Sequence, residues 1–259
     1  MRADQLLVQR GLASSRAQAQ RLIAAGARWR VGAGVWQALG KNGAELPPEA
    51  EVELTDAAEA RYVSRAGVKL EGALRDSQLD VRGLHCLDVG QSTGGFTDCL
   101  LAHGAAHVVG IDVGHDQLHP RLRADARVQY LERLNARSPD AIETIAAAAV
   151  TTGVAARFDL AVVDVSFISQ TLVLPTVWAL LRPGGMLLSL VKPQFELQPS
   201  DIGKGGVVRD ASAYVRVEQR LRDGASALGF TVLDWYPSLL PGTDGNREFF
   251  LYAQRPSLT

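Results

Sequence analysis

Four ionisable residues stand at the ends of predicted elements, where their side chains could act on one substrate. Asp164 ends one apolar run, and Lys192 follows another. In an open α/β sheet the carboxyl ends of the strands border the ligand crevice. Glu248 begins the last apolar run, whose reversed direction places its start at that same edge, and Lys69 belongs to the helix before the first strand. We therefore predict one partly dry site that holds two lysines and two carboxylates.

A site of this composition can move a proton. Burial and a neighbouring cation favour the neutral form of a lysine, whereas carboxylates favour its ammonium form. A ribose 2′-hydroxyl is a weak nucleophile until a base or a hydrogen-bond network draws off its proton. Two alternatives stay open. Asp164 and Lys192 could form a structural ion pair, which is a costly use of buried charge, and Glu248 could be a surface acid beside a turn.

A glycine turn between a predicted strand and a predicted helix could hold a ligand. The apolar residues 84–89 end at Gly90, and a second break at Gly94 and Gly95 begins the helix. Glycine lets a backbone approach a ligand closely, but this spacing is not the G-x-G-x-x-G of dinucleotide-binding proteins. Asp88 precedes the turn and suits a zwitterionic or cationic ligand better than a pyrophosphate. The alternative is that Asp88 only bonds amides of the turn.

A second acid, Asp112, follows the next apolar run at residues 108–111. An acid in that position can accept hydrogen bonds from a ribose. A turn acid combined with a ribose acid resembles the S-adenosylmethionine site of class I methyltransferases.

The composition excludes several classes of protein. Two cysteines, Cys86 and Cys99, cannot form a disulfide framework or a four-cysteine zinc site. His115 and His119 lie four residues apart without further ligands, so no metal is predicted. No apolar run approaches the roughly 20 residues of a membrane span, and the first residues lack the apolar core of a signal peptide. We expect a cytoplasmic protein.

The net charge of -1 hides a basic N-terminal segment. Through residue 41 a single acid, Asp4, accompanies the bases Arg2, Arg10, Arg16, Arg21, Arg28, Arg30 and Lys41. Such an excess is an electrostatic footprint for an anionic partner, although a solvated helix face would also explain it. Helices are predicted at residues 3–9 and 16–25, the second capped by Ser14 or Ser15, with short strands at 28–31, 35–38 and 51–54.

The N-terminal segment resembles a known RNA-binding module. From residue 2 to residue 26 it reads Arg-Ala-Asp-Gln-Leu-Leu-Val-x-Arg-Gly-Leu-Ala-x-Ser-Arg-x-x-Ala-x-x-Leu-Ile-x-x-Gly. This pattern resembles the S4 domain, which lays basic helices against structured RNA. The resemblance implies RNA contacts from Arg2, Arg16 and Arg21. We expect an S4-like domain of α+β structure at residues 1–60.

The remaining chain, residues 61–259, is predicted to be an α/β domain. Apolar strands alternate with helices, which indicates a parallel, doubly wound sheet with helices on both faces. A turn at Asp244 and Gly245 precedes the last strand and makes a terminal hairpin antiparallel to the sheet. This arrangement resembles the Rossmann-like fold of class I methyltransferases. Strands are expected at 84–89, 108–113, 127–131, 159–165, 186–191, 231–235 and 248–252, and later helices at 139–150, 172–181 and 214–228.

A series of motifs runs through this domain in order. They are Ser-Arg-Ala-Gly-Val-Lys-Leu, Asp-Val-Gly-x-Ser-Thr-Gly-Gly-Phe-Thr-Asp, Val-Asp-Val-Ser-Phe-Ile-Ser, Val-Lys-Pro-Gln-Phe-Glu, Gly-Lys-Gly-Gly-Val-Val-Arg-Asp and Gly-Asn-Arg-Glu-Phe-Phe-Leu. The whole chain closely resembles the TlyA family of S4-domain, FtsJ-like ribosomal RNA 2′-O-methyltransferases, whose members are often labelled haemolysins. Members of this family modify cytidines in ribosomal RNA. The resemblance therefore implies that ribosomal RNA or ribosomal subunits are the partners.

The resemblance also implies which residues form the site. A Lys-Asp-Lys-Glu tetrad would be carried by Lys69, Asp164, Lys192 and Glu248, with Lys192 at the 2′-hydroxyl. S-adenosyl-L-methionine would be held by the glycine turn and the two acids: Asp88, Gly90, Ser92, Thr93, Gly94 and Asp112.

One further motif is interpreted as an RNA contact. The run Gly203-Lys-Gly-Gly206 lacks the upstream glycine and the following Ser or Thr of a P-loop. We interpret it as a loop that touches RNA through Lys204 and Arg209. Phe167 and Phe195 could equally be core residues or surfaces on which bases stack.

Three other functions fit parts of the sequence. An NAD-dependent dehydrogenase fits the sheet but not the glycine spacing. A non-catalytic ribosome-assembly factor would bind RNA and leave the cofactor site idle. A lytic protein is disfavoured, because the sequence contains neither a membrane span nor an evident amphipathic membrane helix.

Overall fold

A computed structural model describes residues 1–13, 15–54, 61–151, 153 and 156–257, without the side chains of residues 17, 21 and 25. The chain forms two compact units, Met1–Val68 and Lys69–Thr259. Three predictions lie outside the described residues and side chains: the domain boundary at residue 60, the cap Ser14 and the side chain of Arg21.

The first unit is a pair of helices with a small antiparallel sheet. Its elements are α1 (Ala3–Gln9), α2 (Arg16–Gly26), β1 (Ala27–Arg30), β2 (Gln37–Ala38) and β3 (Glu51–Leu54). The strand order is β2-β1-β3. Ser15 caps α2, since its hydroxyl accepts a hydrogen bond from the backbone N–H of Gln18. Leu6, Leu7 and Leu22 are buried in the core between these elements.

The second unit is a seven-stranded sheet with strand order β6-β5-β4-β7-β8-β10-β9. Strands β4 to β8 are parallel, and β10 is antiparallel to both of its neighbours. This topology confirms the predicted fold class. The strands are β4 (His85–Val89), β5 (His107–Asp112), β6 (Val128–Glu132), β7 (Phe158–Val163), β8 (Leu181–Val191), β9 (Thr231–Pro237) and β10 (Phe249–Gln254). The helices are α3 (Arg65–Ser77), which belongs to this unit from Lys69 onward, α4 (Gly95–Ala102), α5 (Pro120–Arg123), α6 (Ala141–Thr151), α7 (Leu174–Leu180) and α8 (Ser212–Ala227).

The apolar central strands explain why the sheet forms. Strand β7 is almost entirely buried, with Leu160 and Val163 fully enclosed, and Leu87 of β4 is equally buried beside it. Continuous apolar runs of this kind are typical of parallel strands covered on both faces. The carboxyl ends of β4, β5 and β7 consequently meet at one edge.

The region around residue 181 differs from the prediction. Instead of one helix over residues 172–181, a 3-10 turn at Gln170–Leu172 precedes the shorter α7, which starts at Leu174–Pro175. Strand β8 begins directly at Leu181, because Gly184 and Gly185 exchange backbone hydrogen bonds with Arg255. Tertiary pairing therefore overrides the turn signal of the Pro-Gly-Gly segment.

The described helices contain no segment with both the length and the apolar character needed to cross a membrane.

Candidate active site

The structure brings the four predicted ionisable residues together as two ion pairs. Lys192 Nζ lies 2.6 Å from Asp164 Oδ1, and Lys69 Nζ lies 2.5 Å from Glu248 Oε2. The pairs are close enough that both Lys192 and Asp164 act electrostatically on Glu248. Lys192 Nζ also donates a 2.9 Å hydrogen bond to Ser166 Oγ.

Sheet topology explains this convergence. Asp164 directly follows β7, and its backbone N–H donates to the carbonyl of Val89 at the end of β4. Lys192 directly follows β8, whose last residue, Val191, pairs with Phe249 at the start of antiparallel β10. Glu248 therefore stands beside Lys192, and α3 supplies Lys69.

The two pairs differ in their access to solvent. The side chains of Lys69 and Glu248 are 10% and 3% exposed, whereas those of Lys192 and Asp164 are 14% and 18% exposed. Burial raises the pKa of Glu248, and the positive charge of Lys69 opposes that shift. The Lys192 pair is thus the more accessible of the two to a substrate.

A cleft of about 480 Å³ borders Asp164. Its volume falls within the roughly 300–1,000 Å³ of small-molecule sites. Apolar side chains such as Val113 and Ile168 line part of it, and carboxylates line another part. The predicted cofactor residues that line this cleft are Gly90, Ser92 and Asp112.

Gly90 and Asp112 line the cleft. Gly90 has a φ of +86°, and a Cβ there would lie 2.4 Å from the carbonyl oxygen of Asp164, so only glycine fits. The Asp112 carboxylate accepts 2.7 Å bonds from the backbone N–H groups of Ser92 and Gly114. A carboxylate has about four acceptor positions, which leaves Asp112 able to accept further hydrogen bonds.

Asp88 bonds the first turn of α4, and its contact with a ligand stays a prediction. Asp88 is fully buried and does not line the cleft. Its Oδ2 accepts hydrogen bonds from the backbone N–H and the hydroxyl of Thr97 in the first turn of α4. Its Oδ1 has no hydrogen-bond partner among the described residues. The alternative drawn from the sequence, an acid that bonds local amides, matches this geometry.

Thr93 and Gly94 also shape the turn and do not line the cleft. Gly94 has a φ of +96°, and a Cβ there would lie 2.4 Å from Leu122 Cδ1. The carbonyl of Thr93 accepts a hydrogen bond from the backbone N–H of His119. Direct contact of Thr93 and Gly94 with a cofactor stays a prediction, because glycine spacing does not distinguish a glycine that faces a ligand from one that packs against its own protein.

Asp88 gives the fold a specific pH dependence. Burial raises the pKa of Asp88 from 3.8 to about 7, against the effect of the Thr97 hydrogen bonds. A carboxyl with a higher pKa in the folded than in the unfolded chain destabilises the fold as pH rises between these two values. Asp88→Asn should lack this contribution. Urea unfolding at about pH 5 and about pH 8 should show the wild type losing more stability than the variant. Equal losses would contradict the raised pKa.

Sequence reasoning missed two polar residues that organise the site. Ser166 bonds Lys192, and its only signal was its position two residues after a strand-end acid. Asn246 is 1% exposed. Its side chain accepts from the N–H of Val208 and donates to the carbonyl of Gly206, which ties the predicted RNA loop to the segment before Glu248.

Exposed side chains occur in the predicted RNA loop and at Phe167. Lys204 and Arg209 are both exposed. Phe167 is 89% exposed, lines the cleft and has a φ of +63°, an uncommon conformation for a bulky residue. Its ring centroid lies 4.8 Å from that of the half-buried Phe195. The core interpretation of Phe167 was therefore wrong.

The other predicted RNA ligands with described side chains lie in the first unit. Arg2 and Arg16 belong to the first unit, with 41% and 55% of their side chains exposed. Among the residues that the structure describes, no group of three or more His, Cys, Asp or Glu side chains could hold a metal ion.

Comparison with known proteins identifies the family. The model of the FtsJ-like methyltransferase family matches residues 62–255, and the S4 domain model matches residues 1–27. The 16S/23S rRNA (cytidine-2′-O)-methyltransferase TlyA of Mycobacterium tuberculosis is 43% identical over 98% of this chain and 89% of its own length. The chain belongs to the TlyA family of FtsJ-like methyltransferases.

Two proteins with hemolysin in their names are similar to nearly the whole chain. Hemolysin A of Brachyspira hyodysenteriae is 35% identical over 97% of this chain and 99% of its own length. A solved structure from Streptococcus thermophilus is 36% identical and has a TM-score of 0.74, covering 99% of this chain and 88% of its own. The family and the fold predicted from the sequence are thus confirmed.

Proposed function

We propose that this methyltransferase transfers a methyl group from S-adenosylmethionine to the ribose 2′-hydroxyl of a cytidine in ribosomal RNA. The observation that carries the proposal is the Lys192–Asp164 pair beside a cleft of small-molecule size. The Mycobacterium tuberculosis relative has this reaction in its name and is 43% identical to this chain over 255 aligned residues.

The cleft fits S-adenosylmethionine in size and in the chemistry of its lining. Asp112 retains acceptor positions for ribose hydroxyls, and the apolar side chains of Val113 and Ile168 suit a flat adenine ring. Asp164 supplies negative charge for a cationic ligand. When bound, the cofactor supplies an electrophilic methyl group on a sulfonium.

The contacts of Lys192 define its part in the reaction. An ammonium has three N–H donors. One lies against Asp164 and one against Ser166, which leaves a third for a substrate oxygen. As an ammonium, Lys192 in this position orients the hydroxyl toward the methyl donor, and as a neutral amine it accepts the hydroxyl proton. Methyl transfer depends strongly on alignment, so a fixed lysine at this point serves the reaction in both cases.

The exposed cationic and aromatic side chains are suited to bind the phosphates and bases of ribosomal RNA. Arg2 and Arg16 of the S4 unit and Lys204 and Arg209 of the second unit can contact phosphates. The exposed ring of Phe167 at the cleft is suited to stacking on an unpaired base. We therefore assign RNA as the substrate that reaches Lys192.

Asp112→Ala should weaken cofactor binding by about tenfold or more, because it removes ribose acceptors and also loosens the turn held through Ser92. Thermal-shift titration with S-adenosylhomocysteine measures this loss. Asp116→Ala, which removes an exposed acid of the same region, is the matched control. Stabilisation of the wild type by NAD and not by S-adenosylhomocysteine would favour a dehydrogenase and contradict the cofactor assignment.

A methyl-transfer assay tests the proposed reaction. Purified protein, methyl-labelled S-adenosylmethionine and either deproteinised ribosomal RNA or intact subunits should yield labelled 2′-O-methylcytidine after nuclease digestion. Label on a base would contradict ribose methylation. RNA binding without any labelled product would favour a non-catalytic assembly factor.

A further inference from the structure

The first unit contains a buried acid that bonds two of its arginines. Asp4 is 0% exposed and is the single acid among the first 41 residues. Its two oxygens accept hydrogen bonds from Arg2 Nε (3.0 Å), Arg2 Nη2 (2.9 Å), Arg16 Nη2 (3.2 Å) and Gln20 Nε2 (3.0 Å). One carboxylate thus bonds two arginines and an amide.

The local fold makes this arrangement rigid. Asp4 lies in the first turn of α1, and its backbone N–H donates to the carbonyl of Asn42. Arg16 and Gln20 lie one turn apart on α2, so both reach the same carboxylate. Arg2 binds it through two parallel hydrogen bonds, the most directional geometry available to a guanidinium. The hydrogen bonds from Arg2 and Gln20 lower the pKa of Asp4, so the carboxylate stays charged.

Other acids of the unit are bonded differently. Arg28 pairs with Glu53 and Arg30 with Glu51, and the side chains of all four residues are between 34% and 49% exposed. Exposed pairs of that kind contribute little to stability or geometry. The carboxylate of Asp4 is shielded from water, while the arginines it bonds keep 41% and 55% of their side chains exposed.

We propose that Asp4 is a positioning residue that holds Arg2 and Arg16 as a preformed pair for RNA phosphates. The inference rests on the proposed function, because it assumes that the S4 unit binds ribosomal RNA. Each guanidinium has five N–H donors, so both arginines keep donors for phosphate oxygens after bonding Asp4. Side-chain freedom that an unrestrained arginine would lose on binding RNA has already been lost in the folded protein.

A positioning role for Asp4 and a purely electrostatic effect of its charge predict opposite changes in RNA affinity when Asp4 is replaced. Removing an acid from a basic surface should tighten RNA binding if only the electrostatic field matters. If Asp4 positions the arginines, Asp4→Asn should instead weaken binding of the full chain to deproteinised ribosomal RNA by about fivefold or more. The matched control is Glu49→Gln, which removes the same charge from an exposed acid of the unit and should not weaken binding.

Several readouts separate positioning from loss of structure. Asp4→Asn should raise the KM for RNA and leave kcat unchanged, and it should reduce the slope of log affinity against log salt. In an Arg2→Ala/Arg16→Ala background it should have no further effect, because its action passes through those arginines. Gln20→Ala, which removes one donor to Asp4 and no charge, should weaken binding about twofold without unfolding the unit.

Equal or tighter RNA binding by folded Asp4→Asn would overturn the positioning role alone. Unchanged binding by the Arg2→Ala/Arg16→Ala variant would overturn it as well, since the arginines would then not be RNA ligands. A wild-type protein that binds no ribosomal RNA would overturn both this inference and the proposed function. Thermal unfolding of each variant identifies those that are folded.

Discussion

Lys192→Ala should lower kcat for methyl transfer to ribosomal RNA by roughly 10²- to 10⁴-fold, the range expected when a group that moves or orients a proton is removed. S-adenosylhomocysteine binding and most RNA binding should persist, because the cleft residues and the basic surfaces lie elsewhere in the sequence. Single-turnover methylation and thermal-shift titration measure the two effects separately.

Lys192→Arg should also lose methyl transfer activity. A guanidinium is larger than an ammonium and does not deprotonate in proteins, and it cannot reproduce the compact contacts with Asp164 and Ser166. Ser77→Ala, a change far from these contacts in the sequence, controls for general effects of substitution on the fold. Near-normal methylation by either lysine variant, with folding and binding verified, would show that Lys192 is structural.

Lys69→Met should destabilise the protein by about 3–5 kcal/mol, because breaking a buried ion pair leaves an uncompensated charge. Glu248 would then remain 3% exposed without the lysine that lies 2.5 Å away. The double variant Lys69→Met/Glu248→Leu removes both charges and should recover much of that stability. Urea unfolding of the wild type, both single variants and the double variant gives the coupling energy.

The pH dependence of Lys69→Met follows from the environment of Glu248. Burial already raises the pKa of this carboxyl above its ordinary value of 4.5, and Lys69 opposes the rise. Without Lys69 the raised pKa persists, so stability is lost as pH rises from about 4.5 through the folded-state value. Lys69→Met should therefore be more destabilised at about pH 8 than at about pH 5.

Methyl transfer activity distinguishes a structural role of the Lys69–Glu248 pair from a role in the reaction. If Lys69 and Glu248 act on the reaction through the Lys192 site, the double variant should regain stability but not methyl transfer. Recovery of both in the double variant would show that the pair only supports the fold.

The sheet edge that carries the site could be predicted because it depends on local patterns. Apolar runs end at Asp164, at Lys192 and before Asp112, and parallel strands bring such ends together. Which lysine pairs with which acid could not be predicted, because that depends on the register of β10 on β8 and on the placement of α3.

The glycine turn shows where residue types are ambiguous. Gly90 and Gly94 both have positive φ, yet Gly90 borders the cleft and Gly94 packs against Leu118 and Leu122. Asp88 is a further case, since burial under the turn directs its carboxylate to Thr97 and away from the cleft. Spacing predicted the turn correctly but did not specify the direction of each side chain.

The first unit shows a related limit. Counting charges presents Asp4 as a minor exception to a basic segment, and the structure shows that it bonds two of that segment's arginines, Arg2 and Arg16. Helical spacing placed Arg16 on α2, but its meeting with Arg2 depends on how α1 packs against α2 and against residues 42–44.

Mapping of ribose methylation by mass spectrometry shows whether the protein methylates ribosomal RNA in cells. Ribosomal RNA would be compared among cells that lack the gene and cells that express the wild type or Lys192→Ala. We expect at least one 2′-O-methylcytidine that is present with the wild type and absent both without the gene and with Lys192→Ala. Identical ribose methylation in all three strains, with both proteins expressed and folded, would contradict the assignment.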